Sequence, residues 1–106
     1  MSLLTVKEEI ILSALLMLGG SSGGAKIRNI VIEFTKKEIV YGTLYNLLEN
    51  LIRKKYVITQ KGDPTPVQGG RSKTIYILTH KGKEALHETM ILHENIKKNL
   101  TGFELS

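Results

Sequence analysis

The sequence predicts a mainly α-helical fold with one small β-hairpin. Two observations carry this prediction. Apolar residues recur at helical spacing in four segments, and two short segments rich in β-branched and aromatic residues lie between the third and the fourth. With 106 residues, the chain has the length of one domain with a modest core.

The first two helices are predicted from local signals. The first should begin near Val6, because Thr5 and Glu8 have the spacing of a capping box. Residues 19–24 are all glycine or serine, so they should end that helix and form a loop. A second helix is predicted over residues 25–34 and a polar turn over 35–38. A third short strand is expected to pair between the first two helices.

The third helix is predicted over residues 40–55. Its apolar positions recur on one face, which should be buried, and its other face is polar. The predicted buried stripe consists of Leu44, Leu47, Leu48, Leu51 and Ile52.

The hairpin and the last helix complete the predicted order. Strands are expected at residues 56–59 and 74–78, and the glycines and prolines of 61–71 predict a long irregular tip between them. Thr79 is the predicted N-cap of a helix that reaches about residue 100. This order is that of a winged helix-turn-helix. Residues 1–79 would form that domain, and 80–106 an added C-terminal dimerisation helix and tail.

The net charge of +5 is concentrated in one part of the chain. Residues 53–73 hold six basic residues and one acid, whereas the remainder holds nine of each. Such a focused excess suits a polyanionic partner, although a solvated charged face is the alternative.

Several functional classes have little support in the sequence. The absence of cysteine excludes disulfides and thiolate zinc sites. His80, His87 and His93 lack a convincing ligand spacing, so neither metal nor cofactor is expected. No nucleophile–base pair stands out, and the Gly/Ser loop lacks the lysine of a phosphate loop, so an enzyme is not expected. No apolar run has the length of a membrane span, and no signal-peptide pattern is present, so a cytoplasmic location is expected.

The front of the third helix and the hairpin supply the candidate DNA contacts. The N-terminal part of such a helix normally faces base edges. Thr43 can form a hydrogen bond or contact a thymine methyl group, Asn46 suits adenine or a phosphate, and Gly42 permits close approach. The predicted contacts are Tyr41, Gly42, Thr43, Tyr45, Asn46, Arg53, Lys61, Arg71 and Lys73.

Structural alternatives stand beside some of these roles. Tyr45 could be a half-buried core aromatic, Thr43 could cap its own helix, and Arg71 could belong to a solvated loop. Lys54 and Lys55 are better explained by the helix C-terminus, where cations are favourable.

A stripe on the last helix predicts a homodimer. Its members recur close to heptad spacing, and the stripe is too long for so small a domain to cover alone. A symmetric pairing would set two reading helices about 34 Å apart, one DNA turn. The predicted dimerisation residues are Leu86, Met90, His93, Ile96 and Leu100.

Two stretches of the chain resemble the PadR family of transcriptional regulators. One is Gly42-Thr43-Leu44-Tyr45 with Leu48 and Leu51, and the other runs from Gly70-Arg71-Ser72-Lys73 through Tyr76-x-Leu78-Thr79 to Gly82. The similarity covers about residues 9–86. It implies a homodimeric winged-helix repressor of a roughly palindromic operator, with the region of Tyr45 at the DNA surface and the wing beside it. The usual glycine-tyrosine pair at the start of the second helix is Gly24-Ala25 here. A single C-terminal helix resembles the short subgroup of the family.

Two functions of different classes therefore follow. The leading hypothesis is a sequence-specific regulator that binds double-stranded DNA, with repression favoured. The alternative is a winged-helix protein–protein interaction module with an acidic partner. A further hypothesis is a small apolar effector of unknown identity in the dimer groove, which would change the spacing of the reading helices.

Overall fold

The computed structural model describes residues 3–64, 72–100 and 102, which form four helices and a three-stranded sheet. The order confirms the predicted winged helix-turn-helix. The elements are α1 (Val6–Met17), β1 (Ser21–Gly23), α2 (Gly24–Thr35), α3 (Tyr41–Arg53), β2 (Val57–Pro64), β3 (Ser72–Leu78) and α4 (His80–Asn99).

Local signals fix the starts of α1 and α4. The Thr5 hydroxyl accepts from the Glu8 backbone N–H at 3.2 Å, and the Glu8 carboxylate accepts from the Thr5 N–H at 2.9 Å, so the predicted capping box is present. The Thr79 hydroxyl accepts from the Gly82 N–H at 3.0 Å and caps α4 as predicted.

The sheet has the strand order β1-β3-β2, and both pairings are antiparallel. β1 is the expected third strand between the first two helices, and its Ser22 lies opposite Tyr76 of β3. The short β1 thereby joins the start of α2 to the hairpin, so that α2 and the wing become neighbours.

The prediction that residues 61–71 lack regular structure is wrong for its first part. β2 continues through Lys61 to Pro64, with an irregular register between these two residues. Strand β3 supplies the pairing: Lys61 lies opposite Thr74, and Pro64 opposite Ser72. An irregular register accommodates a proline, which lacks the N–H of a regular ladder. Residues 65–71 of the predicted tip lie outside the described residues.

Helix α3 ends two residues before the predicted boundary. Lys55 adopts the left-handed conformation, with φ 66°. Its N–H donates to the Ile52 carbonyl at 2.9 Å, and the Tyr56 N–H donates to the Leu51 carbonyl at 3.0 Å. These two bonds close the helix as a Schellman motif and turn the chain into β2.

The core lies between the helices and the inner face of the sheet. Leu44, Leu48 and Leu51 of the predicted α3 stripe are fully buried, while Leu47 and Ile52 are partly buried against them. Each fully buried leucine contributes roughly 1.5–3 kcal/mol to folding. The largest fully buried side chains are Ile11, Leu12, Leu15, Ile27, Leu44, Leu48, Leu51 and Val57.

Candidate nucleic-acid interface

The front of α3 presents its predicted contact residues to solvent. All five of them in the first two turns are exposed, whereas Leu44 between them is fully buried. Thr43 does not cap the helix, because the N-cap is Val40 and no side-chain hydrogen bond caps α3. The described part of the chain gives the side chains of Thr43 and Asn46 no hydrogen-bond partner, so both are available to a ligand.

A stack of three side chains holds the aromatic part of this front. The rings of Tyr41 and Tyr45 are stacked with centroids 5.9 Å apart and an interplanar angle of 25°. The guanidinium carbon of Arg28 lies 4.8 Å from the centre of the Tyr41 ring. Arg28 Nε also donates to the Ile39 carbonyl at 2.6 Å, which ties α2 to the turn before α3.

Arg28 was absent from the predicted site. Its partners lie 11 and 13 residues further along the chain, so no helical spacing connects them. The contact sets the position of the tyrosine pair relative to α2, which sequence periodicity does not report.

Gly24 gives the Tyr45 ring its position against α2. A Cβ built on Gly24 would lie 3.0 Å from the Tyr45 hydroxyl oxygen and 3.1 Å from ring atom Cε1. The missing side chain at the first residue of α2 therefore leaves room for the ring. Tyr45 remains 42% exposed, so it combines the packed position of the structural alternative with an accessible edge.

Tyr45 and the wing share one open cleft of about 760 Å³. Lys73 of β3 and Lys26 of α2 also line it. This shared wall makes the front of α3 and the basic hairpin parts of one continuous surface. Lys61 of β2 is exposed, while Arg71 lies outside the described residues.

The C-terminal end of α3 holds its cations in two different ways. Arg53 is exposed, and its Nη2 donates to the Asn50 side-chain oxygen. Lys54 Nζ lies 2.5 Å from Oε2 of Glu8, whose side chain is only 7% exposed. The predicted structural role of Lys54 thus has a specific partner on α1.

The Glu8 carboxylate is stabilised in its charged form. Burial by itself raises the pKa of Glu8, but hydrogen bonds from Lys54 and the Thr5 backbone, with the Lys54 charge, lower its net pKa below the ordinary value of 4.5. One carboxylate therefore caps α1 and fixes the end of α3 against it.

The predicted dimerisation stripe needs one correction. Leu86 is 3% exposed and belongs to the core of its own chain, to which α1 and α4 both contribute. Met90, Ile96 and Leu100 are 44%, 46% and 54% exposed. His93 Nε2 lies 2.9 Å from Oε1 of Glu9 on α1.

Further exposed apolar side chains lie outside the predicted stripe. They are Ile91 on α4, and Leu3 and Val6 at the start of the chain. The Leu4 N–H donates to the Thr89 hydroxyl at 3.2 Å, so the N-terminal segment lies directly on α4. A heptad pattern on α4 cannot predict Leu3 and Val6, because they belong to a different segment of the chain.

The described residues contain neither a candidate metal site nor a candidate membrane span. Over 3–64, 72–100 and 102, no group of three or more histidine, aspartate or glutamate side chains could hold a metal ion. Within the same residues, no helix combines the length and apolar character needed to cross a membrane.

Comparison with known proteins identifies the family of this chain. The model of the transcriptional regulator PadR-like family matches residues 11–88. The chain belongs to the PadR-like family. The matched segment runs from the core of α1 into α4, so it includes the α3 front, the cleft and the described strands of the wing. No protein among the curated sequences matches the chain.

Solved structures are similar over nearly the whole chain. A transcriptional regulator from Clostridium thermocellum, Cth-833, has a TM-score of 0.69 at 25% identity, with 92% of each chain covered. The winged-helix DNA-binding protein F93 from STIV has a TM-score of 0.65 at 25% identity, covering 95% of this chain and 98% of its own. A PadR family regulator from Clostridium difficile R20291 has a TM-score of 0.70 at 22% identity, covering 88% and 92%. The PadR-like regulator described here thus shares their winged-helix fold.

Proposed function

We propose that this PadR-like regulator is a cytoplasmic, non-enzymatic repressor that binds double-stranded DNA sequence-specifically as a homodimer. One observation carries the proposal: Tyr45 of the exposed α3 front and Lys73 of the basic wing line the same cleft. A reading helix and a phosphate-binding ribbon then face one partner together. Residues 1–79 form the reading unit in this proposal, and 80–106 the dimerisation helix and tail.

The proposed contacts divide into two classes. Thr43 and Asn46, whose side chains have no hydrogen-bond partner among the described residues, face base edges in the major groove. Tyr41, Gly42 and Tyr45 bring the helix close to the DNA backbone. Lys61, Lys73, Arg71 and Arg53 supply the positive charge that binds phosphates and releases counterions.

The proposed homodimer is supported by the uncovered apolar surface of α4 and the N-terminal segment. Met90, Ile96 and Leu100 expose close to half of their surface, which is costly for a chain of this size in isolation. Leu86 no longer contributes to this interface, since its own chain covers it. His93 stays in the proposal because its side chain is 49% exposed, although its Nε2 already pairs with Glu9 of its own chain.

Fluorescence anisotropy with the DNA upstream of the protein's own gene tests this function. Binding should be tighter than to a random duplex of equal length, and should weaken steeply from about 50 to 200 mM salt. The absence of a preference over random duplex would refute sequence-specific regulation. Capture of an acidic protein together with indifference to duplex DNA would favour the interaction module instead.

The Arg71→Ala variant tests whether Arg71 contacts a DNA phosphate or belongs to a solvated loop. The variant should weaken binding to all sequences alike and reduce the slope of log affinity against log salt by about 1. Lys97→Ala in the exposed last turn of α4 is the matched control, and its slope should equal that of the wild type. An unchanged slope in Arg71→Ala would remove this residue from the contacts.

The apolar effector of the dimer groove stays a prediction. Loss of DNA binding on addition of a small apolar molecule, with the dimer intact, would support it.

A further inference from the structure

Helix α3 begins without a side-chain cap of its own. Its N-cap residue is Val40, which is 67% exposed and has no side-chain group that could accept a hydrogen bond. By contrast, Thr5 caps α1 and Thr79 caps α4 from within their own first turns. The direction in which α3 leaves the preceding turn is therefore left to contacts from other segments.

Arg28 of α2 supplies such contacts on both sides of the α3 N-cap. Before it, Arg28 Nε donates to the Ile39 carbonyl at 2.6 Å, and no other group of the described residues donates to that oxygen. After it, the guanidinium carbon lies 4.8 Å from the centre of the Tyr41 ring. A planar guanidinium can stack on a ring and donate from its edge at the same time. One side chain thus holds the residue before the N-cap and the residue after it.

This chain of contacts continues along α3 and returns to α2. The Tyr41 and Tyr45 rings are stacked with their centroids 5.9 Å apart. The Tyr45 ring in turn fills the space beside Gly24, where a Cβ would lie 3.0 Å from its hydroxyl oxygen. Helix α2 therefore holds the tyrosine stack at both ends, with Arg28 at one end and Gly24 at the other.

The surroundings of Arg28 suit a fixed side chain rather than a free charge. Arg28 is half-buried, and within the described ranges it forms no salt bridge. The Tyr41 ring and the Ile39 carbonyl are the groups that face its cation. A cation over a ring gains stability when it is partly withdrawn from water. Lysine could not replace arginine here, because an ammonium group lacks the planar fork.

We infer that Arg28 is a positioning residue for sequence reading, which fixes the start of α3 and the Tyr41–Tyr45 stack without a DNA contact of its own. This role rests on the proposed DNA-binding function and adds to it a residue that acts through another helix. Hydrogen bonds from Thr43 and Asn46 to base edges need a placement within about 0.5 Å. Attraction to phosphates tolerates larger shifts, since it acts over a Debye length. A displaced α3 start should therefore reduce discrimination between sequences more than it reduces general binding to DNA.

Arg28→Lys tests this role, because it keeps the positive charge and removes the planar guanidinium. Affinity is measured by fluorescence anisotropy at several salt concentrations, for the DNA upstream of the protein's own gene and for a random duplex of equal length. Specific affinity should fall about tenfold. Affinity for the random duplex should change by less than about twofold, and the slope of log affinity against log salt should equal that of the wild type.

Glu33→Gln is the control on the same helix. Glu33 is exposed and lies five residues after Arg28, on a different face of α2. This variant should keep the ratio of specific to random affinity of the wild type. Both variants should also keep its far-ultraviolet circular dichroism, which separates a displaced helix start from a lost fold.

A double-mutant cycle with Tyr41→Leu tests whether Arg28 acts through the tyrosine ring. Because each change removes the same contact, the combined variant should lose about as much specific affinity as the weaker-binding single variant. In the free protein, Arg28→Lys should also shift the backbone amide NMR signals of residues 39–45. That readout contains no DNA, so a phosphate contact alone would not move it.

Three results would overturn this role while leaving sequence-specific binding intact. The first is an unchanged ratio of specific to random affinity in Arg28→Lys. The second is an Arg28→Met variant that weakens binding to all sequences alike and lowers the salt slope by about 1, because Arg28 would then contact a phosphate directly. The third is a fully additive loss in the double variant. A wild type that shows no preference over random duplex refutes the proposed function instead.

Discussion

Gly82→Ala is expected to destabilise the fold strongly, although alanine is the better helix former. Gly82 is the third residue of α4, where the helix start packs against the junction of α3 and β2. A Cβ on this residue would lie 2.4 Å from the Tyr56 carbonyl oxygen and 2.8 Å from Leu78 Cδ1. A carbon–oxygen contact is ordinarily about 3.3 Å or longer, so the two backbones must separate by about 0.9 Å.

The magnitude follows from what this separation disturbs. Overpacking of a rigid site costs about 1–3 kcal/mol. The same junction holds the Thr79 N–H bond to the Tyr56 carbonyl at 3.0 Å and the Thr79 hydroxyl bond to the Lys55 carbonyl at 2.8 Å. Each contributes about 0.5–1.5 kcal/mol. After the gain of up to about 1 kcal/mol from helix propensity, the free energy of unfolding should fall by about 3 kcal/mol.

Gly42→Ala provides a matched control in the first turn of α3. A Cβ on Gly42 meets no described atom within 4 Å, so the helix gain of up to about 1 kcal/mol should appear unopposed. The same methyl group should weaken DNA binding, because Gly42 lies on the exposed front of α3.

Urea denaturation followed by circular dichroism measures both variants. Several protein concentrations are needed, since dissociation of the proposed dimer would add to the apparent stability. The Gly82→Ala variant should also melt roughly 10 °C or more below the wild type. A free energy of unfolding of Gly82→Ala within 0.5 kcal/mol of that of the wild type, at an unchanged m-value, would refute the reasoning. It would show that the start of α4 can shift without loss of stability.

Three further predictions concern the carboxylate cap, the glycine beside Tyr45 and the apolar surface. Glu8→Gln should lower stability by about 1 kcal/mol at neutral pH, because it keeps the capping box but loses the ion pair with half-exposed Lys54. Since the folded pKa of Glu8 is lowered, its contribution is present above about 4.5 and is lost as the pH falls through the folded value. The wild type and the variant should therefore converge in acid urea titrations, and a constant difference down to pH 2 would contradict this assignment. Gly24→Ala should displace the Tyr45 ring by a few tenths of an ångström and weaken specific DNA binding several-fold with little change in melting temperature. If the Gly24→Ala variant bound DNA with the affinity of the wild type, the position of the Tyr45 ring would have no influence on DNA binding. Ile96→Glu should convert the proposed dimer to a well-folded monomer in light scattering, because this side chain is 46% exposed within its own chain. A persistent dimer would place the interface elsewhere.

Some of the candidate site was predictable because its determinants are local. The small, polar and aromatic front of α3 follows from residues within two helical turns, and Leu44 confirms which face is inward. The positive charge of the hairpin was predictable because it follows from counting the charged residues in one contiguous segment. The cleft was not predictable, because its walls come from β1, α2, α3 and β3, which are far apart in the sequence.

By itself, the sequence determined where helices start and which faces they bury. The capping box at Thr5 and the cap at Thr79 need only a partner three residues away, and the leucine stripe of α3 needs only the 3.6-residue period. Tertiary structure decided what depends on distant segments. Strand β2 extends to Pro64 because β3 pairs with it, Leu86 is buried in a core built from several elements, and Lys54 is fixed by a carboxylate 46 residues earlier. Backbone geometry repeats over a few residues, whereas burial and charge pairing depend on which segments the whole fold brings together.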